Sequence, residues 1–91
     1  MPRYLLEATH TPAQCLQVLD EHLTLGEDRL RMWDFGCAIG SHSNHTAYAI
    51  IEAPDQNAAK NMAPQSIRNQ VRMTEIGKQT ADQIRSYHKA A

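Results

Sequence analysis

The sequence predicts an α+β domain of the ferredoxin-like βαββαβ type, with a four-stranded antiparallel sheet, two helices on one of its faces and an extra C-terminal helix. Three observations carry this prediction. Four short segments rich in β-favouring residues alternate in polarity with a period of two. Helical periodicity with explicit start signals falls between the first and second of them and again between the third and fourth. A third start signal follows the last strand. All 91 residues are expected to form one domain, because the length suits one domain and no linker interrupts it. A chain of this size buries only about 60–65% of its unfolded surface, so a partner is a natural way to enlarge the core.

The first strand is expected over Arg3–Thr9. Thr11-Pro12-Ala13-Gln14 then forms a capping box with proline at the first helical position. Leu16, Leu19 and Leu23 recur at helical spacing, Cys15, Val18 and His22 widen the stripe, and Gly26 ends it. The second and third strands, Met32–Ile39 and Thr46–Ala53, are joined by the polar link Gly40-Ser41-His42-Ser43-Asn44-His45 and form a hairpin. Asp55 caps a short helix holding Ala58, Ala59 and Met62; Pro64 interrupts it, and a further turn runs through Ile67. The fourth strand is Val71–Ile76, and Thr80-Ala81-Asp82-Gln83 caps the last helix, Thr80–Lys89.

Strand side chains alternate between faces, so each strand divides into two sets. Tyr4, Leu6, Ala8, Trp33, Phe35, Cys37, Ile39, Ala47, Ala49, Ile51, Ala53, Thr74 and Ile76 make up the helix-covered set. The other set mixes Leu5, Met32, Tyr48, Ile50, Val71 and Met73 with one carboxylate per strand: Glu7, Asp34, Glu52 and Glu75. A solvated face carries fewer large apolar groups, and a dry one no carboxylates. A second copy packed on this face, with a polar cavity left between, fits the mixture.

The strand Asp34-Phe35-Gly36-Cys37, the strand Ala47-Tyr48-Ala49-Ile50-Ile51-Glu52-Ala53 and the Met62-Ala63-Pro64 break before Arg68 resemble small proteins of the dimeric α/β-barrel superfamily. The resemblance implies a homodimer with a pocket at the sheet. Its members include enzymes and plain ligand binders, so fold alone does not choose a function.

The chemistry follows from the open face and the loop. Glu7 and Asp34, beside apolar Leu5 and Met32, are the candidate acid–base pair, and Tyr48, Glu52, Met73 and Glu75 are candidate ligand contacts. The expected function is a homodimeric small-molecule-binding domain, with an enzyme that needs no organic cofactor as one form of it. The sequence specifies no reaction and no cofactor.

The alternative is a metal-binding protein using His42 and His45 of the hairpin loop, with further donors from a second protomer. In this reading His10, at the end of the first strand, lies at the other end of the sheet from the hairpin. Cys15 and Cys37 are read as reduced structural thiols. A third possibility is an interaction module whose open face only makes the dimer.

A net charge of −1 gives no footprint for nucleic acid or an anionic membrane. No apolar run approaches bilayer length and no secretory signal is present, so a cytoplasmic location is expected. Phosphate loops, dinucleotide fingerprints and Ser-His-Asp patterns are absent.

Overall fold

Tyr4, Leu6 and Ala8 alternate with Arg3, Leu5, Glu7 and Thr9, which gives Arg3–Thr9 one dry face. In the computed structural model, which describes residues 1–40 and 44–90, this segment is the interior strand β1. Strand β3 (Thr46–Glu52) and strand β4 (Val71–Ile76) pair antiparallel with it on either side. Strand β2 (Trp33–Phe35) pairs antiparallel with the outer edge of β3, so the four-stranded sheet runs β2-β3-β1-β4.

Helix α1 (Cys15–Leu25) follows a 3-10 turn at Pro12–Gln14 and ends at Gly26, whose φ of 112° an L side chain rarely adopts. A four-residue helix, α2 (Glu27–Leu30), leads into β2. Helix α3 (Gln56–Lys60) starts at Asp55, whose carboxylate accepts from the Ala58 N–H at 2.8 Å, and Pro64 opens a 3-10 segment over Gln65–Gln70.

The core lies between these helical segments and one sheet face. Tyr4, Leu6, Ala8, Ala47, Ala49, Ile51 and Trp33 meet Val18, Ala59, Ala63 and Ile67 there. The alanines on both sides let backbones approach closely, so bulk comes from a few residues. Leu6, Ile51 and Ile67 are fully buried and contribute about 2 kcal/mol each from area alone.

Three expectations need correction. The second strand is only Trp33–Phe35 rather than Met32–Ile39, because the chain turns into a 3-10 helix at Gly36–Ala38. Ile39 is consequently 86% exposed instead of buried. The fourth strand presents the opposite face from the one assigned. Met73 lies across from Leu6 and Val71 across from Ala8, and both pack on the core, while Arg72 and Thr74 face out. In a six-residue strand with Ile76 in one frame and Val71 and Met73 in the other, the frame with more apolar area goes inside. Met73 and Glu75 therefore leave the set of open-face ligand candidates. The buried stripe of α1 is also rotated: Val18 and His22 are buried, while Leu16 and Leu23 are 70% and 60% exposed.

The last helix, α4 (Ala81–Ala90), begins as expected. The Thr80 N–H donates to Gln83 Oε1 and the Gln83 N–H to Thr80 Oγ1, a complete capping box. Every residue from 81 to 89 is exposed, including Ile84 and Tyr87. No helix among the described residues is long and apolar enough to cross a membrane.

Candidate metal centre

Antiparallel pairing of β1 with β3 decides what sits together at one end of the sheet. Thr9 is opposite Thr46, so the residue after β1 and the residue before β3 are neighbours. The ladder continues through them: the His10 N–H donates to the His45 carbonyl at 3.0 Å. His10 thus lies beside the hairpin, not at the other end of the sheet. The expectation failed because β1 pairs with the strand that leaves the hairpin, which puts the end of β1 beside the hairpin loop.

Two cysteines reach the same place from other directions. The capping box at Thr11–Gln14 closes reciprocally, with the Thr11 N–H donating to Gln14 Oε1 and the Gln14 N–H to Thr11 Oγ1. Its four residues fill the interval between His10 and Cys15, the first residue of α1, so cap geometry fixes how far apart those two residues are. Cys37 sits in the 3-10 turn that ends β2. One donor atom from each of His10, Cys15, Cys37 and His45 lies within 4.8 Å of the other three.

Gly36 makes this convergence possible. A Cβ at this position would run into the Asn44 carbonyl oxygen, so only glycine lets the two segments that carry Cys37 and His45 touch. Asn44 is held in turn, its Nδ2 donating to the Tyr48 hydroxyl and its Oδ1 accepting from Thr46 Oγ1 at 2.7 Å. Gly36→Ala is expected to push the segments apart, weakening metal affinity roughly tenfold or more, comparable to loss of an outer-shell support. Competition against a chromophoric chelator measures this; unchanged affinity would remove Gly36 from the design of the site.

The dimensions suit a four-coordinate ion. His10 Nε2 and His45 Nδ1 are 3.4 Å apart, and nitrogens bound to zinc at the usual bond length sit about 3.3 Å apart across a tetrahedral edge. Sulfur–sulfur and sulfur–nitrogen edges are about 3.8 and 3.6 Å, so separations of up to 4.8 Å in the cluster close by roughly 1–1.5 Å around an ion. The facing nitrogens are within hydrogen-bond distance of each other, whereas the far ones, His10 Nδ1 and His45 Nε2, are buried without a partner among the described residues.

Electrostatics lean the same way. Burial, with the neighbouring His45, holds His10 below its ordinary pKa and so favours the neutral imidazole that a metal needs. Burial, with the Cys15 thiol beside it, pushes the Cys37 thiol up. That penalty reverses when a dication enters, because two thiolates neutralise it.

The other candidates are placed differently. His42 lies outside the described residues. Glu7, Asp34, Tyr48 and Glu52 are on the open face, where Glu7 is the cross-strand partner of Tyr48 and Tyr48 of Asp34. A shallow cavity of about 300 Å³ lies beside them, lined by Leu5, Met32, Asp34, Tyr48, Ala49 and Ile50. A wider groove of about 730 Å³ runs between α1 and the segment after Pro64. Its polar groups are partly committed: Ser66 donates to Glu21, and Arg68 donates to the Ala63 and Asn61 carbonyls.

Of the four clustered residues only His45 was expected to bind metal; Cys15 and Cys37 were read as structural thiols, and His10 was placed at the far end of the sheet. The available signal was antiparallel geometry combined with His10-x4-Cys15 and Cys37-x7-His45, spacings unlike those of common zinc motifs. No protein-family model matches the chain, and comparison with curated proteins and with solved structures gives no match either.

Proposed function

We propose that this protein binds one divalent metal ion of the zinc class through His10, Cys15, Cys37 and His45. The single observation that carries the proposal is the mutual approach of these four donor atoms, within 4.8 Å of one another. Two imidazoles and two thiolates in four-coordinate geometry select zinc over hard cations. Four protein donors leave no open position for a substrate, so the ion's role is structural. It ties the ends of β1 and β2 to the starts of α1 and β3. The further donors that the metal reading sought on a second protomer are available within the chain itself.

Elemental analysis of untagged protein purified under reducing conditions is expected to give one zinc per chain. Cobalt substitution is expected to produce the ligand-field and thiolate charge-transfer bands of a tetrahedral S2N2 site. Cys37→Ser and His10→Asn are each expected to lose most of the metal. Protein that stays metal-free with its thiols reduced, or variants that keep full occupancy, would sink the proposal.

The ferredoxin-like assignment and the likeness to dimeric α/β barrels rest on the chain order of strand, helix, two strands, helix and strand. The small-molecule reading rests on the 300 Å³ cavity beside Asp34 and Tyr48. It is the weaker of the two functional readings, because the cavity is open and Met73 and Glu75 belong to the other face.

A further inference from the structure

The four-donor cluster takes in every cysteine of the chain. Cys15 and Cys37 are its two cysteines, both free and both only half-buried. Their sulfurs are neighbours inside the same 4.8 Å cluster. The imidazoles beside them are held differently. His10 is buried, and its N–H donates to the His45 carbonyl at 3.0 Å, so these two residues stay joined through the main chain. An oxidant arriving from solvent thus finds the oxidisable side chains of the site within reach, and finds them as a pair.

We propose that Cys15 and Cys37 form a redox switch: peroxide converts the two thiolates into a Cys15–Cys37 disulfide, and the metal ion leaves a chain that stays folded. The proposal rests on the metal reading above and adds its regulation. One thiolate attacks the peroxide, the O–O bond breaks, and a sulfenic acid and a hydroxide result. The second thiolate attacks that sulfur, the S–S bond forms, and a second hydroxide leaves. Two electrons pass from the sulfurs to the peroxide oxygens. Two protons from solvent turn the hydroxides into two waters, and the ion departs as the dication. The second step needs no partner from outside the chain. Around an ion the sulfurs sit about 3.8 Å apart, a disulfide needs about 2.0 Å, and rotation about χ1 of the two side chains supplies the approach.

Oxidation removes both thiolates at once. His10 and His45 then remain as half of a four-coordinate set, and two imidazoles alone do not retain zinc. The fold does not depend on the ion in this state, because each connection the ion made has a substitute. The disulfide ties the first residue of α1 to the turn that ends β2, as the two metal–sulfur bonds did. The ends of β1 and β3 stay joined by the strand ladder and its continuation from His10 to His45. A dithiol reductant reverses the reaction, its own thiols becoming a disulfide, and the restored thiolates take up the ion again.

The test is a titration of the untagged full chain with hydrogen peroxide, its zinc content measured first, beside a chromophoric chelator that leaves the untreated protein loaded. One zinc per chain is expected to appear as both thiols disappear. The intact mass is expected to fall by two hydrogens, the product to run as a single chain on a denaturing gel without reductant, and the far-ultraviolet circular dichroism to persist. Dithiothreitol followed by zinc is expected to restore the starting occupancy. Reduced protein that holds no zinc before any peroxide is added overturns the metal reading, and the switch with it. Zinc present at the start but retained after both thiols are lost overturns the switch alone. So does release that comes only with unfolding, with cross-linked chains, or with the added oxygens of sulfinic or sulfonic acids.

Discussion

Stripping the metal with a strong chelator is expected to lower the thermal unfolding midpoint by roughly 15–30 °C. An ion that binds only the folded chain, present at about a thousand times its dissociation constant, contributes about 4 kcal/mol. In a domain of this length 1 kcal/mol shifts the midpoint by about 4–8 °C. The location of the ligands explains why so much rests on them. Cys15 and Cys37 are only partly buried, and they join the first residue of α1 to the turn that ends β2. Without an ion, this end holds a buried and a half-buried imidazole, each with a nitrogen that has no partner among the described residues, and a thiol raised above its ordinary pKa. Thermal unfolding of wild type and Cys37→Ser, each with and without chelator, measures the effect. A wild-type shift of only a few degrees, or an equal shift in the variant, would show that the ion does not hold the fold together.

Acidification is expected to destabilise the protein through a different histidine. His22 is buried on α1 between the rings of Trp33 and Phe35, with centroids 5.2 and 5.0 Å away, and its Nε2 has no partner among the described residues. Burial holds its pKa down from 6.5 to about 4. As pH falls below 6.5 the unfolded chain takes up this proton, while the folded chain refuses it until about pH 4. The stability that His22 contributes is therefore complete above pH 6.5 and lost as pH falls towards 4. The loss is about 3 kcal/mol. His10, also held low by burial, acts in the same direction, and protons compete with the metal as well. The difference between wild type and His22→Leu separates His22 from both. Chemical denaturation between pH 7 and 4 is expected to show a shallower decline in the variant; parallel declines would mean that His22 accepts its proton without unfolding.

Much of the frame was legible because local signals in this chain are strong. Both capping boxes, the Asp55 cap, the Pro64 break and the limits of β1 and β4 appear where residue types and spacing put them. The misplacements in the sheet share one cause, which is that they depended on pairing. Val71 and Met73 are assigned to a face by their partners Ala8 and Leu6, and six residues of weak alternation do not supply that information. Met32–Ile39 alternates well enough for a strand, yet the close approach of Asn44 to Gly36 ends β2 after Phe35. The candidate metal centre was the least legible feature. Its four candidate ligands are separated by 4, 21 and 7 intervening residues, and only the β1–β3 register brings the first and last of them together.

Those separations have a consequence for the order in which the molecule is made. His10, Cys15, Cys37 and His45 all precede residue 46, so the complete ligand set emerges from the ribosome ahead of most of β3 and all of β4. Domains form from the N-terminal side during translation, and zinc binding to an unfolded chain is itself a folding event. An ion captured at that stage would fix the end of β1 against the start of β3 in advance. The later strands would then add to a register that is already set, and would not have to search for one.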